Sequence, residues 1–238
     1  MAHLYFLTVY QHDEKMRLGA ERDGGYVFGD NIGNYDCYIS AGVSDEESFS
    51  RDFINKYGMN KSQCFAFDST IVDYPYEYTK EITFIKKNIG PEQTEATTNL
   101  KKYNENYNNI FLKMDIEGGE YPWLESLNES DLKHYKQITM EFHGINDDSW
   151  STSYQTKINC LKKLANTHYL IHAHGNNWAG VRQVCESLVP DVIELTYIRK
   201  DVLNYPFFNT TALPIENLDF KNNVNNPEIS LNHAPFRF

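Results

Sequence analysis

Apolar residues along this chain gather into seven short runs, and several of them stop abruptly on an acid, a histidine or a glycine. The runs are Asp36–Ala41, Gln63–Phe67, Glu81–Lys87, Ile110–Leu112, Gln137–Phe142, Tyr169–His174 and Val192–Ile198. Each has the length of a strand buried on both faces. Between some of them the spacing becomes helical. Phe49, Phe53, Ile54 and Tyr57 share one face of a helix expected from about Asp45 to Tyr57. Ser44 and Glu47 have capping-box spacing at its start, and Gly58 suits its stop. Pro122 fits the first turn of a short helix carrying Trp123, Leu124 and Leu127. Ile158, Leu161 and Leu164 mark a helix over 153–166, and Ser130 fits the cap of a short turn. Residues 4–16 read as an amphipathic helix, followed by a glycine-containing turn and a short strand at Tyr26–Phe28. Residues 69–80 read as loop, and 91–108 are polar without a clear period.

Strands alternating with helices predict one doubly wound α/β sheet, mainly parallel. The expectation is a Rossmann-like domain over residues 1–216, with a seven-stranded sheet flanked by helices. Residues 217–238 have little periodicity and read as a tail packed on that domain. Ligands of such sheets sit beyond the carboxyl ends of the strands. Asn109–Tyr121, NIFLKMDIEGGEY, is therefore the most informative stretch: a buried strand running into Asp115, Glu117 and Glu120 around Gly118-Gly119. An ordinary strand followed by a solvated acidic turn is the alternative.

Composition narrows the partners. The 238 residues carry a formal net charge of -11. That disfavours a nucleic-acid backbone or an anionic membrane, both of which call for cationic surfaces. No apolar run reaches the length of a membrane span and no signal peptide is apparent, so a cytoplasmic protein is expected. Cys37, Cys64, Cys160 and Cys185 form no CxxC pair, and Cys37 and Cys64 read as buried thiols. The 17 tyrosines and 14 phenylalanines suit flat substrates or sugar faces, although most must be core.

Two constellations carry chemistry. The first is a cofactor site. Asp36–Ala41, the turn at Gly42, the capped helix and the strand ending in Asp68 make a βαβ unit. An acid at the end of the second strand is where ribose hydroxyls are held in Rossmann-like folds. The turn AGVSDEES lacks GxGxxG and puts Asp45, Glu46 and Glu47 where a pyrophosphate would lie. A cationic cofactor without phosphate, such as S-adenosylmethionine, is tolerated better there. The bland reading is a plain βαβ unit whose acids suit the helix dipole. The second constellation is Asp115, Glu141, His143, His172, His174, Asn176 and Asn177 at strand ends. In a parallel sheet these share one rim. Carboxylates with imidazole suit Mg²⁺, Mn²⁺ or Zn²⁺, and histidine supplies a base near neutral pH. Satisfied structural histidines are the alternative. DGGYVF, residues 23–28, adds a glycine pair that would let backbone approach a ligand.

KMDIEGGEY resembles the LK-M/I-D-V/I-EG-x-E signature of FkbM-like and METTL-type S-adenosylmethionine-dependent methyltransferases. RLGAERDGGYV, YISAGVSDEESF, CFAFDST, MEFH, HGNNW and ELTYI follow the same group's order, over residues 17–200. The resemblance implies a class I methyltransferase fold and O-methylation of small molecules, often sugars or glycans. It points to Gly42 and Asp68 for the cofactor and to Asp115 beside the transferred methyl. The candidate cofactor contacts are Gly25, Ala41, Gly42, Ser44, Ser48, Asp68, Ser69 and Asp115. The candidate metal ligands for Mn²⁺ or Mg²⁺ are Asp115, Glu141 and His174. The candidate catalytic residues are His143, as base, and Asp115. The expected activity is S-adenosylmethionine-dependent methyl transfer to a hydroxyl of a small-molecule or glycan acceptor. The rivals are a metal-dependent hydrolase on the same rim and a non-catalytic carbohydrate-binding module.

Overall fold

The computed structural model describes residues 2–204 and 206–238. Its centre is a seven-stranded sheet of β1 (Cys37–Ala41), β2 (Cys64–Phe67), β3 (Thr83–Ile85), β4 (Ile110–Met114), β5 (Tyr135–His143), β6 (His168–Gly175) and β7 (Val192–Arg199). The spatial order is β6-β7-β5-β4-β1-β2-β3. Pairs from β5 through β4, β1 and β2 to β3 are parallel, and β7 runs antiparallel between β5 and β6. The helices are α1 (Ser48–Tyr57), α2 (Lys101–Asn104), α3 (Glu120–Ser126), α4 (Glu129–Leu132) and α5 (Tyr154–Thr167). The expected α/β architecture is the observed one.

Strands β1, β4 and β5 are buried at every position. Their side chains alternate between two cores, as the two-residue period of a strand requires. Cys37, Ile39, Ala41, Ile110, Leu112 and Met114 face a core shared with Trp123, Leu161 and Leu164. Tyr38 and Phe111 face the other, built of aromatic rings from Phe28, Phe49 and Phe53. The ring of Phe53 lies 4.2 Å from that of Phe111 and 4.8 Å from that of Tyr38. Part of the aromatic surplus is spent here.

Several local expectations are corrected. Residues 4–16 form no amphipathic helix. A 3₁₀ turn over Ala2–Leu7 gives way to extended chain, in which Val9 bridges Leu170 of β6. The Tyr10 amide donates to the Leu170 carbonyl at 2.7 Å, so this segment satisfies its backbone on the sheet edge. Lys15–Leu18 and Tyr26–Gly29 then form an antiparallel ribbon. It lies over the sheet, where Thr196 donates to the Val27 carbonyl at 2.6 Å and the Gly29 amide to Gln137 at 3.1 Å. The polar 91–108 stretch holds α2 and Thr97–Thr98, which pairs with Asn88–Ile89. The expected capping box is absent. Ser44 has a left-handed φ of +49, and Glu47 is pulled inward to accept from Ser40 at 2.8 Å and Tyr74 at 2.9 Å. Glu46 takes the Ser48 amide at 2.7 Å in its place. The other end of α1 stops as expected, on Gly58 in the left-handed conformation.

The tail from Asn217 returns over the β6–β7 side. Asp219 accepts from His172 at 2.8 Å, Asn222 donates to Glu194 at 2.7 Å, and Asn177 donates to the Asn223 carbonyl at 2.9 Å. Among the described residues no helix is long and apolar enough to cross a membrane.

The turns after β1 and β4 approach so closely that a Cβ on Gly42 (φ +79) would lie 1.6 Å from the Asp115 carbonyl oxygen. Gly42→Ala is therefore expected to lose at least ~3 kcal/mol of stability, combining left-handed strain with the displacement of backbone. Gly58→Ala is the control, because its Cβ would meet nothing within 4 Å. It should lose only about 1 kcal/mol, from φ alone. Urea unfolding of both variants checks the contrast, and equal losses would show that the two turns separate freely.

Candidate active site

A cavity of about 1120 Å³ opens along the carboxyl ends of β1 to β4. Its walls are the Gly42–Glu46 turn, Asp68 after β2, Asn88–Gly90 after β3 and Asp115–Gly119 after β4. That volume is ample for a bound cofactor and a small acceptor.

Asp68 holds one end of the cavity together. One carboxylate oxygen accepts the Val43 and Ser44 amides, both at 3.0 Å, and the other accepts the Thr70 amide at 2.7 Å and the Thr70 hydroxyl at 2.6 Å. Burial alone would raise this carboxyl. The hydrogen bonds from Thr70, Ser44 and Val43 outweigh it and hold the group below the ordinary aspartate value. Lys113 reaches up from β4 to donate to the Gly42 carbonyl at 2.7 Å. The Asp115 amide donates to Ala41 at 2.9 Å. The cofactor-type turn and the acidic turn are thereby one unit.

The other end is an acid–imidazole cluster. After β4 the chain reverses through Glu117 (φ +54) and Gly118 (φ +91). This folds Glu120, at the start of α3, back under the turn. Its buried carboxylate accepts the Ile116 amide at 3.1 Å and the Gly118 amide at 3.3 Å. The same oxygen lies 3.2 Å from His143 Nδ1. A carboxylate only accepts, so Nδ1 carries a proton and Nε2 faces the acids. Nε2 lies 3.4 Å from Glu117, 3.7 Å from Glu141 and 3.9 Å from Asp115. Burial opposes charge on His143, but Glu120 first, then Asp115 and Glu117, raise its pKa above the ordinary histidine value. Tyr26 donates to Asp115 at 3.3 Å, and Trp150 sets its ring 5.2 Å from the imidazole. Glu141 is buried and held by Asn176 at 2.8 Å. Burial, with Asp115, Glu194 and Asp23 nearby, pushes its carboxyl well up and favours the neutral acid.

The structure sorts the expected residues. Gly42, Ser44, Asp68 and Asp115 line the cavity. Gly25 does not; its neighbour Gly24 does, because Gly25 sits in the ribbon turn with its amide on Arg22. Ala41 and Ser48 are interior, and Ser69 turns away to donate to Asn88 at 2.6 Å. The trio Asp115, Glu141 and His174 does not converge. Glu194 of the intervening β7 pairs with both Glu141 and His174 across the sheet. His174 spends Nδ1 on Glu194 and Nε2 on Glu228, each at 3.2 Å. Among the described residues, the group whose ligand atoms all lie within 4.8 Å is Asp115, Glu117 and His143. His143 itself is 5% exposed and stands behind Asp115 and Glu117. Tyr26, Glu120, Trp150 and Glu194 belong to the site without having been picked out as functional. Glu120 closes the EGGE signature, Tyr26 lies in DGGYVF and Glu194 in ELTYI, while Trp150 lies in none of the quoted motifs.

Residues 20–177 match the family model described as the methyltransferase FkbM domain. The chain belongs to the FkbM methyltransferase family. No curated protein sequence matches this methyltransferase. Among solved structures it is similar to one described as a protein in the NADB-Rossmann superfamily from Streptococcus agalactiae. That likeness has 14% identity, covers 76% of this chain and 67% of the other, and reaches a TM-score of 0.33.

Two pH effects follow for the FkbM methyltransferase. Asp68 has a depressed folded pKa, so its stabilisation is present above the unfolded aspartate value near ~4 and is lost as pH falls through the lower folded value. Asp68→Asn turns an amide N–H toward existing donors and should lose roughly 1–3 kcal/mol near neutrality. The loss should shrink in acid; a pH-independent difference in urea midpoint would refute the assignment. His174 behaves oppositely. Burial alone would lower its pKa, but Glu194, followed by Glu228 and Asp219, pushes it up to about 10. Its contribution is full below the unfolded value near ~6.5 and declines as pH rises through the folded one. The stability gap between wild type and His174→Gln should narrow steadily between neutral and alkaline pH, as read by thermal unfolding.

Proposed function

We propose that this methyltransferase transfers the methyl group of S-adenosylmethionine to a hydroxyl of a sugar or glycan. The observation that carries the reading is the cavity joining the Gly42–Asp68 turn to the Asp115 and Glu117 carboxylates, with His143 directly behind them. The lining fits the cofactor's charge. Asp45 and Glu46 flank the first turn, and Asp115 Oδ1 is buried without a hydrogen-bond partner. Anionic phosphate is disfavoured by such walls, and a sulfonium and an ammonium are favoured. When bound, S-adenosylmethionine supplies an electrophilic methyl that an oxygen lone pair displaces from sulfur, leaving a neutral thioether.

The chain's own groups prepare the oxygen. Asp115 and Glu117 accept the acceptor's hydroxyl hydrogen bond and fix its direction. As the oxygen–methyl bond forms, the hydroxyl proton passes to one of these carboxylates and on to His143 Nε2 behind them. Glu120 stabilises the imidazolium through Nδ1–H, as a carboxylate does behind a catalytic histidine. Holding both reactants in one cavity contributes much of the acceleration. Asp115, Glu117 and His143 also match the ligand set of a divalent Mn²⁺ or Mg²⁺. Such an ion would lower the pKa of the acceptor hydroxyl and would compete with the proton for Nε2. Family membership argues against the hydrolase and the non-catalytic sugar-binding module.

A screen of sugar acceptors with labelled S-adenosylmethionine, with and without chelator, tests the reading. S-adenosylhomocysteine should bind by calorimetry, and its failure to bind would overturn the cofactor assignment. With His143 as base, kcat should rise with pH through a pKa above ~6.5, since the neutral imidazole is the active form. Glu120→Gln removes the group that contributes most to raising that pKa. Its inflection should move down and kcat should fall, with S-adenosylhomocysteine affinity unchanged. Loss of turnover in chelator, restored by Mn²⁺ or Mg²⁺, would assign Nε2 to the metal.

A further inference from the structure

Of the chain's three tryptophans, Trp123 is fully buried, while Trp150 and Trp178 line the cavity with much of their surface open. Trp150 is 45% exposed and Trp178 is 66% exposed. Trp150 and the following Ser151 take left-handed backbone angles, φ +58 and +55. For a bulky residue that is an uncommon, strained conformation. Two glycines make room for its indole. A Cβ on Gly118 would lie 2.7 Å from the Trp150 ring, and one on Gly144 would lie 2.6 Å from it. The seated ring lies 5.2 Å from His143. Trp178 is mounted on a turn in which its amide donates to Asn176 Oδ1 at 2.9 Å, while Asn176 Nδ2 donates to Glu141. The Trp150 ring is thus seated against the acid–imidazole rim, Trp178 is anchored to it through its backbone amide, and both residues leave much of their surface open to the cavity.

We propose that Trp150 and Trp178 form the acceptor subsite and bind the pyranose ring of a carbohydrate. This deepens the methyl-transfer reading and rests on it for the name acceptor. The two kinds of wall select the ligand. An open indole packs against the flat C–H face of a sugar ring and excludes water from it. The carboxylates of Asp23, Asp115 and Glu117 line the same cavity and accept hydrogen bonds without donating any. A hydroxyl-rich ring with one apolar face satisfies both. An uncharged arene would leave the carboxylates unpaired, and an anionic acceptor would be repelled. A cationic arene is the competing ligand, since Trp faces and carboxylates also attract cations.

The test uses the full chain saturated with S-adenosylhomocysteine and follows tryptophan fluorescence. The probes are methyl α-D-glucopyranoside, methyl α-D-mannopyranoside and methyl α-L-rhamnopyranoside, with tyramine as the cationic arene. At least one glycoside should give a saturable change. Trp150→Ala should weaken its binding by about tenfold or more, as should Trp178→Ala, and Trp150→Phe should recover part of the loss. Because Trp178 is mostly exposed, Trp178→Ala reports on the subsite even where Trp150→Ala fails to fold. Calorimetry with S-adenosylhomocysteine should give unchanged affinity in every folded variant. The subsite is overturned when no glycoside saturates a protein that binds S-adenosylhomocysteine, when tyramine alone binds, or when both alanine variants bind glycoside normally. Glycoside binding by a protein indifferent to S-adenosylhomocysteine would sustain the subsite and sink the methyl-transfer reading.

Discussion

Everything at the rim depends on the contact between two strand-end turns. The Gly42 turn rests directly on the Asp115 carbonyl, with no space for a side chain between them. Lys113 is drawn up from the middle of the sheet to the Gly42 carbonyl, and Asp68 draws the Val43 and Ser44 amides from the other side. Groups on three adjacent parallel strands are consequently locked to one point. A shift of any one would move both the cofactor end and the acidic end of the cavity. Parallel strands make this possible, because their carboxyl ends all emerge at the same edge.

The same constraint crowds negative charge. Asp23, Asp115, Glu117, Glu120, Glu141 and Glu194 lie at or behind one rim. Glu120, Glu141 and Glu194 are buried there, and removing three carboxylates from water would be prohibitive if all were bare anions. The structure answers in several ways. Glu120 is wrapped by backbone amides and an imidazole, and Glu194 is held by Asn222 and His174. Glu141 is pushed toward its neutral form by burial and then by its acidic neighbours. The carboxylates of Asp23, Asp115 and Glu117 line the cavity, and the buried Asp115 Oδ1 has no hydrogen-bond partner. A residual field of that sign is an attraction for cationic or hydrogen-donating ligands, and a barrier to phosphates.

The parts of the fold legible in the sequence were those fixed by burial on both faces. Strands such as Ile110–Met114 and Tyr135–His143 announce themselves as apolar runs because the sheet is covered on either side. Gly58 was legible because a helix stop has a local cause. The N-terminal segment was not. Leu4, Phe6, Leu7 and Val9 are all buried, which a helical reading also accommodates, and pairing with β6 decides the matter through contacts remote in sequence. The capping box failed similarly, since Tyr74 and Ser40 compete for Glu47. At the site, Asp115 and His143 could be placed from strand ends alone. His174 could not, because its role turns on the register of β7, which inserts Glu194 between it and Glu141.

The signature KMDIEGGEY has a physical content that its letters do not display. Lys113 and Asp115 point to different jobs from neighbouring positions, one bracing the glycine turn and the other facing the cavity. The left-handed pair at Glu117 and Gly118 reverses the chain tightly enough for Glu120 to accept the amides of Ile116 and Gly118. That reversal brings a buried carboxylate to Nδ1 of His143, on the next strand of the sheet. Gly118 has a second use, since its missing side chain is the seat of Trp150. A short stretch of chain therefore fixes the histidine's tautomer, exposes an acid to the cavity and seats an aromatic wall. Spacing within the stretch is set by the turn, so insertion of even one residue would uncouple all three.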